Sequence, residues 1–243
     1  MLSLVLSDLG VVRTELGQLE AADEALAESL QLRDRLRPQT DAAAAVRENL
    51  AQLRLAQGRL DEAARWLKES EALRNRLGQR PGEAAWTRLV RHRVALERAQ
   101  GRTAEARQWV QRWQDAAGAL DAQGIGGLRR ALTAATLALD AAEPADAARQ
   151  LQAVGRALTP WRSSGPLVAL EVPYRIQCGR LARQAGAGAE AAERQFTWAE
   201  RLLETAVQPA APTRRELLSA RQEQPATPTA AGAVPALCPA DGG

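Results

Sequence analysis

Apolar residues along this chain return three and four places apart, and whole phrases return with them. GQLEAADEAL (17–26) is answered by GRLDEAARWL (58–67) and GRTAEARQWV (101–110), then by AEPADAARQL (142–151) and AGAEAAERQF (187–196). One alanine marks each phrase: Ala22, Ala63, Ala106, Ala147 and Ala192, spaced 41, 43, 41 and 45 residues apart. Four places after each marker stands a large apolar residue: Leu26, Leu67, Val110, Leu151 and Phe196. A small and a large side chain at i and i+4 share one helix face, so a neighbouring helix can come close at the alanine and be filled in beside it.

Upstream of the markers lie further helical stretches, LSDLGVVRTELG and ENLAQLRLAQG, which end on Gly17 and Gly58. Glycine just past a helix end adopts the left-handed conformation cheaply and turns the chain. The predicted unit is therefore helix, tight turn, helix, then a short loop. Breakers mark the loops: RPQTD (37–41), GQRPG (78–82), QGIGG (123–127) and TPWRSSGP (159–166). AGAGAE leaves the fifth turn at Gly186 or one residue later, and Pro173 predicts a start or kink within the fifth repeat's first helix. After 207 the text becomes rich in Pro and small residues. That composition predicts a mostly disordered tail, relieved by a short helix over 213–222, where Thr213 and Glu216 have capping-box spacing. Such a helix would cover the last repeat.

The unit resembles the tetratricopeptide repeat: Leu9-Gly10 and Leu50-Ala51, the turn glycines 17, 58 and 101, and the Ala-x-x-x-large pairs carry the likeness over residues 3–206. The long spacing is similar to the variant of kinesin light chains and many bacterial signalling proteins. The resemblance implies an all-α, right-handed α-solenoid of about five helix-turn-helix repeats over 1–206, followed by the 207–243 tail. It implies a non-catalytic scaffold that binds a protein or peptide in a concave groove. Met1 falls almost directly on the first repeat, so either the array starts abruptly or this is the C-terminal part of a longer chain. Similar arrays form the C-terminal regions of bacterial serine/threonine kinases and of transcriptional regulators, which gives the second reading, a regulatory or sensor region. Self-association through the open ends is a third.

Composition changes little in this picture. Aromatics are 3% of the chain, β-branched residues are sparse, and the formal net charge is +3, spread over arginines rather than gathered in a polybasic tract. Nucleic acid is not expected as a partner. No apolar run spans a membrane, no signal peptide is evident, and a cytoplasmic location is expected. Cys178 and Cys238 do not predict a structural disulfide. Chemistry finds little to work with. His92 is the lone histidine and reads as a helix residue among arginines. No zinc-ligand spacing, phosphate loop or nucleophile elbow is present. No enzyme, cofactor or metal is therefore predicted. Trp66 and Trp109 hold equivalent positions and read as contacts between repeats.

Counting back from each turn, the family's groove positions fall on Leu4, Ser7, Val11 and Thr14; on Ala45, Glu48, Gln52 and Leu55; on Arg88, Arg91, Ala95 and Arg98; on Arg129, Leu132, Thr136 and Leu139; and on Tyr174, Gln177, Leu181 and Gln184. Arg88, Arg91 and Arg98 share a helix face, and with Arg129 they would favour an acidic or carboxylate-terminated partner. Arg65 and Arg74 serve as outer-face references. Asn49 matches the family's peptide-contacting asparagine; Asp8, His92, Thr133 and Cys178 occupy the equivalent places. The chaperone carboxylate clamp fits poorly, because Ser7 and Val11 replace its Lys and Asn.

Overall fold

A computed structural model describes residues 1–80, 83–117, 124–162, 168–205 and 211–223. Eleven α-helices and no strand occur among them. The chain divides into two compact units, Met1–Ala119 and Leu120–Gly243. The first holds α1 (Leu2–Glu15), α2 (Leu19–Leu36), α3 (Asp41–Ala56), α4 (Leu60–Arg76), α5 (Ala84–Ala99) and α6 (Thr103–Ala117). The second holds α7 (Ile125–Asp140), α8 (Pro144–Arg162), α9 (Val168–Gln184), α10 (Ala189–Thr205) and α11 (Ala211–Gln222). Each unit is a stack of antiparallel helix pairs, an all-α helical repeat. Within a stack, each first helix packs on both helices of the pair before it. The expected boundary at 206/207 and the tail beyond 223 lie outside the described residues.

The small–large pairs build the cores. All five markers, Ala22 to Ala192, are fully buried, and so are Leu26, Leu67, Val110, Leu151 and Phe196. Close approach is greatest where the facing first helix carries glycine. A Cβ at Gly10 would stand 2.4 Å from Leu26, and one at Gly179 would stand 2.3 Å from Phe196. Thr40 caps α3, its Oγ1 accepting from the Ala43 N–H at 3.3 Å.

One turn closes every pair. The N–H after the turn residue reaches back five places: Gln18 to Arg13 O, Arg59 to Arg54 O, Arg102 to Glu97 O, Glu143 to Ala138 O and Ala187 to Ala182 O. The turn residue itself bonds three places back, which completes a Schellman motif. Gly17, Gly58, Gly101 and Gly186 hold φ of 69–77° there. The fourth turn uses Ala142 at φ 56°, a conformation that crowds any Cβ. Ala142→Gly is therefore expected to stabilise the second unit by about 0.5–1 kcal/mol, once the greater freedom of glycine in the unfolded chain is offset. Thermal unfolding would check this; an unchanged or lower midpoint would show that the alanine is unstrained.

The fifth turn sits at Gly186, which removes the ambiguity in AGAGAE. Counted from Gly186, the groove positions of that repeat become Pro173, Ile176, Arg180 and Arg183, one place before those expected. Pro173 lies inside α9, which begins five residues earlier. α11 packs against both α9 and α10. It is tied by Gln177 to Glu216 at 2.9 Å, by Arg180 to Glu223 at 2.9 Å, and by Arg183, whose Nη1 donates to the carbonyls of Ala220, Arg221 and Glu223. Cys178 is buried and disulfide-bonded, against expectation; Cys238 lies outside the described residues.

Candidate functional site

In the first unit, polar contacts bridge successive first helices. Asn49 Nδ2 donates to Ser7 Oγ at 2.9 Å. One repeat on, His92 lies beside the main chain of Glu48, with its Nδ1 buried and without a hydrogen-bond partner. Two of the positions expected to meet a peptide thus meet the preceding repeat instead. Asn49 is buried and His92 partly buried. Burial foremost, then the charges of Arg91 and Arg88, lowers the His92 pKa to about 3, so the imidazole is neutral at pH 7. Expectation is corrected for both residues: what looked like a ladder facing a ligand is a seam between repeats.

Glu48 is also no groove residue. Its carboxylate is fully buried, accepting from Arg74 Nε at 2.6 Å and from Ser70 Oγ at 2.8 Å. Arg74 Nη1 continues to Asp41 Oδ1 at 2.6 Å and Gln79 Oε1 at 2.7 Å. Burial opposes the charge of Arg74, but Glu48 first and then Asp41 outweigh it and raise its pKa. Arg74, expected on the outer face, is 2% exposed. A sequence signal for this cluster exists: Ser29 and Arg33 recur as Ser70 and Arg74, 41 residues on, at the i and i+4 places of a helix.

Of the arginines at expected groove positions, those that meet solvent lie on α5. Arg88, Arg91 and Arg98 are all exposed along one face, while Trp86, Leu89, Val90, Val94 and Leu96 are buried on the others. Arg88 lies within electrostatic reach of Asp41, whose carboxyl burial alone would push up; hydrogen bonds from Gln79 and Arg74 and the two arginine charges hold it lower. On the neighbouring helices, Trp109 lies with the guanidinium carbons of Arg93 and Arg112 5.5 and 5.2 Å from its ring centre. Trp66 packs against the core of Leu26, Val46, Leu50 and Leu53.

In the second unit, Arg129 is half-buried on α7, and its carbonyl accepts from Thr133 Oγ1 at 2.8 Å. Tyr174 is corrected outright: it is 1% exposed, packed in the core of α7, α8 and α9 beside Gly155, so its ring presents nothing to a partner. Its neighbour Arg175 is buried as well, 3.6 Å from the ring centre of Trp198, with Nε on Glu171 at 2.8 Å and Nη1 on Gln195 at 2.9 Å. Sequence reading missed this stacked arginine, since nothing in its spacing repeats.

Among the described residues no group of three or more His, Cys, Asp or Glu could hold a metal ion, and no helix is long and apolar enough to cross a membrane. No curated protein matches the chain. Residues 2–76, the span of α1 to α4, match the family model described as tetratricopeptide repeat. The likeness to the tetratricopeptide repeat thus covers the first two helix pairs, and such repeats generally mediate protein–protein interactions.

Proposed function

We propose that the first unit is a non-catalytic binding module that takes an acidic or carboxylate-terminated peptide along α5. One observation carries this reading: Arg88, Arg91 and Arg98 project from the same face of α5, all exposed, while its other faces are buried. Guanidinium groups pair with carboxylates in a planar, two-point geometry that a lone ammonium does not offer. Arg129 stands outside the proposed surface, because it belongs to the second unit.

The test is fluorescence anisotropy with a labelled oligoglutamate peptide ending in a free carboxylate. Arg88→Glu with Arg91→Glu is expected to weaken binding more than about tenfold, since charge-assisted hydrogen bonds contribute roughly 1.5–3 kcal/mol each. Arg35→Glu with Arg65→Glu, both exposed elsewhere in the unit, should change it little. The difference should shrink as salt rises. Equal binding by the Arg88/Arg91 variant and the parent would refute the basic surface.

A further inference from the structure

α1 is built inside out. The face it turns to its own unit carries Ser7, Gly10 and Thr14, all buried. Ser7 meets Asn49, Gly10 meets Leu26, and Thr14 bonds back to the Gly10 carbonyl at 2.8 Å. Most of its large aliphatic residues point the other way: Leu2, Val5, Leu9 and Leu16 are 59, 61, 38 and 50% exposed, with Val12 half-buried in the same row and Met1 exposed beside it. Most other large apolar side chains of this unit are buried or half-buried.

The row has a definite geometry. Positions 2, 5, 9, 12 and 16 alternate steps of three and four, the spacing of a two-helix seam. The same row one repeat later is Ala43, Val46, Leu50 and Leu53, all buried. There Val46, Leu50 and Leu53 pack on Ala22 and Leu26 of the preceding pair. The fold therefore uses this row as a helix-docking face wherever a helix is present to meet it.

We infer that α1 is a dimerisation helix, and that the row of Leu2, Val5, Leu9, Val12 and Leu16 is covered by the same row of a second copy in a parallel, two-fold pair. Two features select a second copy. The row is self-complementary, as an isologous interface must be. Its flanks carry opposite charges at the matching offset: Asp8 precedes Arg13 by five residues, so in a parallel pair each Asp8 faces the other copy's Arg13, which is half-buried and steadied by its own chain, its Nη1 donating to the Ala21 carbonyl at 3.0 Å.

Sedimentation equilibrium from about 1 to about 100 µM tests the inference on the full chain. A monomer–dimer equilibrium is expected, with Val5→Glu plus Leu9→Glu weakening it at least about 100-fold, because four carboxylates would be buried against apolar side chains. Both positions are exposed in the single chain, so far-UV circular dichroism should be unchanged; Val5→Ser with Leu9→Ser gives a milder version of the same loss. Asp8→Arg should weaken the dimer, and Asp8→Arg with Arg13→Asp should restore it. A monomer throughout the range would overturn the inference, since it would leave the row to a different partner. A dimer indifferent to both pairs of substitutions at Val5 and Leu9 would overturn it by placing the contact elsewhere.

Discussion

Arg74→Met is expected to destabilise the first unit by about 3–5 kcal/mol, the cost of leaving one member of a buried ion pair alone. Glu48 would keep only Ser70 as a partner in a place that water does not reach. Side-chain volume is nearly conserved, so the loss would come from the charge rather than from a cavity. The double variant Arg74→Met, Glu48→Leu should recover most of it, since an apolar pair needs no solvation. Chemical denaturation of the four proteins of this cycle gives the coupling directly. A single variant within about 1 kcal/mol of the parent would show that Glu48 finds water or another donor when Arg74 is absent.

His92 is expected to make the first unit sensitive to acid. Its pKa falls from 6.5 to about 3 on folding, so between those values the unfolded chain carries one more proton than the folded one. Stability is then fully present above pH 6.5 and declines as pH falls toward 3, by up to about 1.4 kcal/mol per pH unit, or roughly 3 kcal/mol between pH 6 and 4. Asp41 acts lower: its carboxyl titrates below its ordinary value in the folded state, so its contribution is lost only as pH falls through the acid range beneath 3.8. His92→Gln should flatten the decline between pH 6 and 4 and leave the lower one. Because the chain has one histidine, its ring resonances report the titration without assignment. A folded-state pKa near 6.5 would sink the prediction.

Much of the fold was legible because it rests on positions that repeat. Ala63 and Leu67 announce a close helix contact by recurring as Ala106 and Val110, and Gly17, Gly58 and Gly101 announce the turn between helices. Ala142 shows where that logic thins, since the backbone keeps its left-handed turn without the residue that normally marks it. The proposed binding surface was only partly legible. Arg88, Arg91 and Arg98 could be placed on one face by spacing alone. Whether such a face meets solvent or the next helix depends on what packs there, and Ser7, Glu48 and Asn49 at comparable positions were covered by a neighbouring repeat. Tyr174 was misplaced by a single residue of frame in the fifth turn, enough on a helix to swing a side chain by about 100° from surface to core. Arg74 read as an outer-face cation because its partners, Asp41 and Glu48, lie 33 and 26 residues away.

The polar step between the first two first helices also makes their order matter. The Asn49 amide answers the Ser7 hydroxyl. One repeat on, the place of that serine is taken by Glu48, whose carboxylate is already held by Ser70 and Arg74. A chain with the second hairpin duplicated in tandem would set a second Asn49 against Glu48 instead of against a free hydroxyl, and the buried amide would lose its partner. The hairpins of the first unit are thus alike in their apolar frame and yet not interchangeable, because one buried side-chain pair belongs to a single junction.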